Sequence, residues 1–437
     1  MEERYGREIC LLNDSFPPFI DGVANAVENY ATILNRGKYR ALVVTPDCLG
    51  ADDGRFDFPV VRYPSMDLRK QIGYTAGNPF VPRTLLTLGK RDIALLHSHC
   101  PLASNLLARG LREELKVPLV MTYHTKFDID IENIIRGKLL QREAIKALIE
   151  SVGSVDELWV VSKGAGESIR KLGYEGDYIV MSNGVDMPKQ RASDAEVREA
   201  TAGYDLPRDV PLFLFVGRLM WYKGIRLIAD ALRALRSQQI DFRMVFIGGG
   251  GDEEEIKAYI SELGLAGCCL FTGPVYERKR IAAWYTRADL FLFPSTFDTN
   301  GLVVREAAAC SLATVMIGGS CVAEGVTDGV NGLFVEENAA SLAVCLARVG
   351  GNRELLRRIG DNAAADLYLS WEEAVGRASD RYDTVIENYR LGKYTRRHDL
   401  ADEFFVLRNE FLEVYETIDN QRKKIEDLIE ERLERDL

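Results

Sequence analysis

Residues 293–310 read FPSTFDTNGLVVREAAAC, and the order of residue types in this stretch carries the strongest local signal in the chain. An apolar run ends at Pro294-Ser295, a polar loop follows, and Gly301 opens a segment of helical character that bears Glu306. Glycine lets a ligand approach the backbone closely, and the N–H groups of Leu302 and Val303, at the start of a helix, have no partner within it. A helix end of this kind suits a phosphate. Asp298 and Glu306 stand across the turn from each other, so the two carboxylates approach one ligand from opposite sides and each is able to accept hydrogen bonds from hydroxyl groups. Ordinary helix capping accounts equally well for the turn taken alone.

Outward from this turn, short apolar runs alternate with helix-length segments along the chain. The first half offers EICLLN, ALVVTP, VVRYP, IALLHSH, PLVMTYH, ELWVVS and YIVMSNG, separated by amphipathic stretches such as Val23–Asn35, Ser104–Leu115 and Ser168–Leu172. The second offers LFLFVG, RMVFIGG, CCLFTG, LFLFPS and ATVMIGG, separated by Lys223–Ser237, Glu253–Leu263, Arg278–Arg287 and Glu306–Cys310. Near-continuous apolar strands between helices predict parallel sheets covered on both faces. A chain of 437 residues is too long for one core. The reading is therefore an α/β protein with two consecutive doubly wound, Rossmann-like domains, over 1–190 and 191–370. A helix beginning at Trp371 and a linker occupy 371–398. Doubly wound units put their ligands at the carboxyl ends of the strands.

Within the second unit, VGRLMWYKG (216–224) follows a strand with Arg218 and, five residues on, Lys223. Two fixed cations beside a phosphate-binding helix end neutralise charge on a departing diphosphate. The run IGGGGDEEE (247–255) lacks the G-x-G-x-x-G spacing of a dinucleotide site. His97 and His99, two apart, are read as pointing to opposite faces of a strand, which argues against a metal pair and makes His97 a packing residue.

The stretch 131–152, IENIIRGKLLQREAIKALIESV, places Ile131, Ile135, Leu139, Ile145, Leu148 and Ile149 on one broad side. Lys138, Arg142 and Lys146 form an i, i+4, i+8 stripe on another. A basic amphipathic helix of this kind fits the surface of an anionic membrane, and a core helix with a solvated face fits it too. Net charge is −11, against a general nucleic-acid binder; residues 1–190 carry 24 basic and 25 acidic side chains, so the excess lies almost wholly in the second half. The eight cysteines show no paired CxxC spacing, and the N-terminus does not read as a signal peptide, so a reducing, cytoplasmic setting is expected, peripheral at the inner face of the membrane if lipid is engaged. In the tail, 399–437, Phe404, Phe411, Ile418 and Ile425 repeat every seven residues with Leu407, Val414 and Leu428 between them, a coiled-coil-like helix suited to self-association.

The pairing of VGRLMWYKG with an acid-x7-Glu turn, preceded by SNGVD (182–186), resembles the family-4 retaining glycosyltransferases of the GT-B fold. The likeness spans about residues 7–388. NDSFPPFIDGVA (13–24), LLHSHCP (95–101) and TYHT (122–125) are similar to further signatures of that family. The resemblance implies two facing domains with a cleft between them. It also implies transfer of a hexose, glucose in the first instance, from a UDP- or GDP-sugar to a hydroxyl acceptor such as diacylglycerol. Retention of configuration, with neither metal nor cofactor, goes with it. On that resemblance Arg218 and Lys223 bind the donor diphosphate, Glu306 the ribose and Asp298 the hexose. Gly22 approaches the donor phosphates, Asn300, Gly301, Leu302 and Val303 complete the donor side, and His99 lies near the reacting sugar. Asp14, His124, Lys138, Arg142 and Lys146 fall on the acceptor side. Two departures bear on sugar recognition: Asp298 replaces the usual Glu, and Asn300 stands where Phe or Gln is common. A soluble acceptor, or a catalytically silent sugar-nucleotide-binding scaffold working through its tail, are the rival readings.

Overall fold

A computed structural model describes residues 7–19, 21–67, 75–124, 131, 135 and 137–394. The heptad positions 404–428 and the rest of the tail lie outside them.

The first unit comprises the chain to Val160, Ile169–Ile179 and the residues from Arg377 onward. Its seven-stranded sheet is built from β1 (Glu8–Leu12), β2 (Arg40–Pro46), β3 (Val60–Tyr63), β6 (Ile93–Ser98), β7 (Leu119–Tyr123), β8 (Glu157–Val160) and β9 (Tyr178–Val180), in the order β3-β2-β1-β6-β7-β8-β9. The ladders from β3 to β8 are all parallel. A small antiparallel pair, β4 (Ser65–Asp67) and β5 (Thr75–Gly77), stands apart from it. The strands are apolar throughout because helices cover the sheet: all six residues of β6, its His97 included, are buried. Helices Gly22–Arg36 and Ala103–Leu115 follow β1 and β6, each starting within one residue of where the periodicity places it.

The second unit comprises Val161–Ser168 and Val180–Gly376. Its sheet runs β12-β11-β10-β13-β14-β15, from β10 (Leu212–Val216), β11 (Arg243–Ile247), β12 (Cys269–Gly273), β13 (Leu290–Leu292), β14 (Thr314–Ile317) and β15 (Leu333–Val335), parallel throughout. β15 is a sixth strand that the apolar runs did not reveal. The long helix Trp371–Arg390 begins in this unit and ends in the first.

In both sheets the first strand is central. The chain leaves β1 to add β2 and β3 on one side, then crosses to β6 on the other, and it does the same from β10, by way of β11 and β12, to β13. Loops that leave β1 and β6, or β10 and β13, diverge at such a switch point and open a crevice at the strand ends.

Candidate functional site

In the second unit the two sequence motifs leave neighbouring strands at the switch point. Arg218 follows β10, and the 293–310 stretch follows β13, which pairs with β10 in parallel. The loop of Arg218 is seated on the glycine run after β11: Gly217 donates to Ile247 O at 3.0 Å and Leu219 to Gly249 O at 3.0 Å. Gly248 has φ +139, and a Cβ built there would lie 1.9 Å from Gly217 O. The glycines thus let two backbones touch and hold the Arg218 loop; that is their part in the site. Arg218 is exposed, and its guanidinium stands 5.8 Å from the Tyr222 ring centre. Among the described residues no carboxylate pairs with it.

Lys223 is buried, at 7 % exposure, at the end of a 3₁₀ turn, Trp221–Lys223. Its Nζ donates to Asp298 Oδ1 at 2.6 Å and lies within 6 Å of the Tyr222, Phe293 and Phe297 ring centres. Asp298 Oδ2 accepts from Ser295 Oγ at 2.6 Å. The residues expected on diphosphate and hexose therefore form one ion pair, with both carboxylate oxygens engaged inside the protein. Asn300 follows, its amide atoms buried and without a hydrogen-bond partner.

Gly301 adopts φ +59 and ψ 49, and a Cβ there would come 2.7 Å from Val322 Cγ1. Only glycine fits this left-handed, crowded position, and it starts the helix Leu302–Ala309. No side chain caps that helix, and the Leu302 and Val303 N–H groups have no partner among the described residues. One residue missed in the sequence steadies the loop: Ser162, at the end of LWVVS, donates its hydroxyl to Thr299 O at 2.6 Å.

Glu306 occupies the second turn of the helix. Its Oε1 accepts from Arg278 at 3.2 Å and its Oε2 from the Tyr285 hydroxyl at 3.1 Å; Arg278 also donates to Asp186 of SNGVD at 2.9 Å. Arg278 and Tyr285 lie on the helix Arg278–Arg287 and show no motif in the sequence. Burial raises the Glu306 pKa above the ordinary carboxyl value, opposed by Arg278 and Tyr285. A raised value means the folded chain takes up this proton at a higher pH than an ordinary carboxyl would. If the carboxylate accepts from a ribose, nucleotide affinity falls on acidification, beginning at a higher pH than an ordinary carboxyl allows. Calorimetry with UDP and GDP should show that fall, and Glu306→Gln should weaken binding at neutral pH and flatten the profile. Unchanged affinity in the variant would leave Glu306 a structural group held by Arg278 and Tyr285.

At the switch point of the first unit, Asp14 follows β1 and His99 follows β6. Asp14 Oδ1 accepts from Ser104 N at 2.8 Å, Ser104 Oγ at 2.7 Å and Tyr63 OH at 3.3 Å, which fixes the start of helix Ala103–Leu115. Its Oδ2 is buried without a partner, and burial raises its pKa. His99 Nδ1 lies 3.0 Å from His124 Nε2, while His99 Nε2 has no partner. Burial lowers the pKa of both rings, that of His124 to about 3, so this pair is neutral at pH 7.

His97 and His99 do not point to opposite faces: their ring centres are 4.0 Å apart, because residues two apart on a strand share one face and only adjacent ones diverge. β6 ends at Ser98, so His99 continues its line just past the strand and keeps to the side of His97. His97 is a packing residue, bonded to Tyr382 OH at 2.6 Å and Thr122 Oγ1 at 2.7 Å. At the start of helix Gly22–Arg36, Asp21 accepts from Val23 N and Ala24 N. The backbone left to face a phosphate there is that of Gly22, beside which a Cβ would meet nothing within 4 Å.

The basic segment forms a helix over Lys138–Gly153, after Gly137 with φ +103. Its apolar residues do not make one side as expected. Leu148 and Val152 are buried, whereas Leu139 and Leu140 are 72 % and 61 % exposed, next to Lys138 and Arg142. Lys146 is also exposed and stands 3.9 Å from Glu150. The first turn is thus apolar and basic together. Six of the cysteines are buried; Cys48 and Cys321 are only partly so. Among the described residues no helix is long and apolar enough to cross a membrane.

Two sheets of this topology, each with loops diverging at its switch point, define the GT-B class, and comparisons with solved structures agree. The fold matches HepE of Anabaena in complex with UDP (TM-score 0.70, 18 % identity, covering 86 % of this chain and 100 % of that one). It matches sucrose-phosphate synthase of Thermosynechococcus elongatus equally (TM-score 0.71, 19 % identity, 87 % and 99 %). The family models "Glycosyltransferase Family 4" and "Glycosyl transferases group 1" match residues 20–189 and 197–366. Curated relatives include an alpha-monoglucosyldiacylglycerol synthase of Acholeplasma laidlawii, 24 % identical over 81 % of this chain and 91 % of that protein. A D-inositol 3-phosphate glycosyltransferase of Xylanimonas cellulosilytica is 30 % identical over 62 % and 67 %. The chain belongs to the family-4 glycosyltransferases of the GT-B fold.

Proposed function

We propose that this glycosyltransferase moves a hexose, glucose foremost, from a UDP- or GDP-sugar to the hydroxyl of a membrane lipid of the diacylglycerol type, with retention of configuration. The observation that carries the reading is the grouping in one unit of Arg218, Lys223 and the unpartnered amides of Leu302 and Val303. All four are suited to charge on a departing diphosphate. The bond from the anomeric carbon to the phosphate oxygen breaks as the acceptor oxygen approaches the same face, and the acceptor proton passes to the departing phosphate oxygen. Two side-chain cations and a helix end supply the neutralisation, so the reaction runs without a metal. Glu306 takes the ribose. In the first unit His99 is assigned to the hexose, and Asp14 and His124 to the acceptor.

Support for a lipid acceptor comes from the Acholeplasma laidlawii relative's name and from the exposed Leu139–Leu140 turn with Lys138, Arg142 and Lys146, which suits an anionic surface. The Xylanimonas cellulosilytica relative's name favours a soluble phosphorylated acceptor as the second reading. Incubation with UDP-glucose or GDP-mannose, diacylglycerol in anionic vesicles and EDTA tests both. Glycolipid formation that falls when Leu139 and Leu140 are both changed to Asp is the expected result. Transfer to a soluble inositol phosphate alone would favour the second reading, and donor binding with neither transfer nor hydrolysis would make the chain a silent scaffold.

A further inference from the structure

Asn300 stands in the donor loop two residues after Asp298 and directly before the helix start at Gly301. Its Nδ2 and Oδ1 are both buried and both lack a partner. Burying an amide costs stability unless both ends are hydrogen-bonded, so a side chain with neither bond made is unusual inside a folded chain. The loop does not relieve it by swinging, because its neighbours are tied: Ser162 holds Thr299 O, and Ser295 Oγ accepts from Phe297 N at 3.3 Å and donates to Asp298. Asp298 is the opposite case, one oxygen on Lys223 and the other on Ser295.

The chemistry of the two side chains differs as well. A carboxylate only accepts, whereas an amide donates two hydrogen bonds and accepts two. Adjacent hydroxyls of a pyranose each donate and accept, so an amide satisfies a pair of them at once, and the pair it satisfies depends on which is axial and which equatorial. We infer that Asn300 reads the hydroxyl pattern of the donor hexose, while Asp298 acts through Lys223 as a positioning residue. This rests on the donor-site reading above and adds to it the group that selects the sugar.

The test uses the full chain, calorimetry with bare nucleotides and with nucleotide sugars, and thermal unfolding. UDP, UDP-glucose and UDP-galactose, with GDP and GDP-mannose in parallel, separate the nucleotide from the hexose. Asn300→Ala is expected to bind the bare nucleoside diphosphate within about twofold of the parent and to lose about tenfold or more of the affinity that the hexose adds, since a site built to bond a hydroxyl discriminates strongly. Its preference between the glucose and galactose epimers should shrink with it. Asn300→Asp, which keeps the shape but replaces the two donors with a second acceptor oxygen and a negative charge, should likewise shrink the hexose contribution. The melting temperature of Asn300→Ala should equal or exceed the parent's, because no protein bond is removed.

An unchanged hexose contribution and unchanged epimer preference would overturn the proposal. So would a lowered melting temperature with hexose binding intact, since the amide would then be held by water as part of the fold. For the second half, Asp298→Ala should alter affinity for UDP and leave UMP unaffected, because Lys223 loses its anchor; an effect confined to the hexose-dependent part would return sugar binding to Asp298. Failure of the parent chain to bind any of these nucleotides would sink the donor-site reading itself, and it is seen before any variant is made.

Discussion

Alanine in place of Arg218 or Lys223 is expected to lower kcat by about 10²-fold or more, the range for removing one preorganised group from developing charge. The two variants should differ in stability, because their settings differ. Arg218 is exposed, its guanidinium lies over the Tyr222 ring at 5.8 Å from the centre and pairs with no described carboxylate, so its loss should leave the melting temperature close to the parent's. Lys223 is buried, paired with Asp298 and surrounded by Tyr222, Phe293 and Phe297. Its removal strands a half-buried carboxylate with only the Ser295 hydroxyl, so Lys223→Ala should also melt earlier. Steady-state kinetics and thermal unfolding on both variants check this, and turnover like the parent's in both would remove the cations from the chemistry.

Gly248→Ala should be among the most damaging single methyl additions to the second unit. The residue combines a φ of +139 with a Cβ direction that ends 1.9 Å from Gly217 O, a backbone atom with no rotamer to yield. Strain of this kind and overpacking together cost about 2–5 kcal/mol, which lowers the melting temperature by about 5 °C or more in a domain of this size. The shift falls on the loop that carries Arg218, so kcat should drop even in the fraction that remains folded. Gly251→Ala, where a Cβ would meet only the Met220 side chain at 3.7 Å, is the matched control and should be close to neutral. Equal effects of the two would mean that the glycine run does not hold the Arg218 loop.

Much of this was legible because the strands are long apolar runs and the periodicity between them is helical. What escaped notice was short or depended on distant residues. β15 has three residues and follows the turn Asn331-Gly332, too little to stand out as a strand. Helix Lys163–Lys171, of which the sequence shows only the end from Ser168, carries two glycines in its first half, and Glu324, 161 residues away, accepts from its Lys163 N–H. Tertiary capping outweighed a poor local propensity there. The segment from Lys223 splits into a 3₁₀ turn and a helix at Ile225 because Gly224 between them is left-handed. The site residues were named from their motifs, but their bonds were not foreseeable. Asp298 meets Lys223 across 75 positions, and Glu306 meets Arg278 and Tyr285 across 28 and 21. The His97–His99 contact has another cause: a strand repeats every two residues, so side chains two apart share a face, and the expectation of opposite faces did not follow from the spacing.

Transfer from a nucleotide-activated hexose is proposed above to retain configuration at the anomeric carbon. Its most direct test is the proton NMR spectrum of the purified glycolipid made from an α-linked donor, read together with mass spectrometry of the protein after exposure to a fluorinated donor. An α-anomeric coupling in the product and no glycosyl group on the chain are expected, because the carboxylates of Asp298 and Glu306 are engaged with Lys223, Ser295, Arg278 and Tyr285. A β-linked product would contradict retention, and a glycosyl adduct on Asp14 would contradict the single same-face displacement while leaving retention in place.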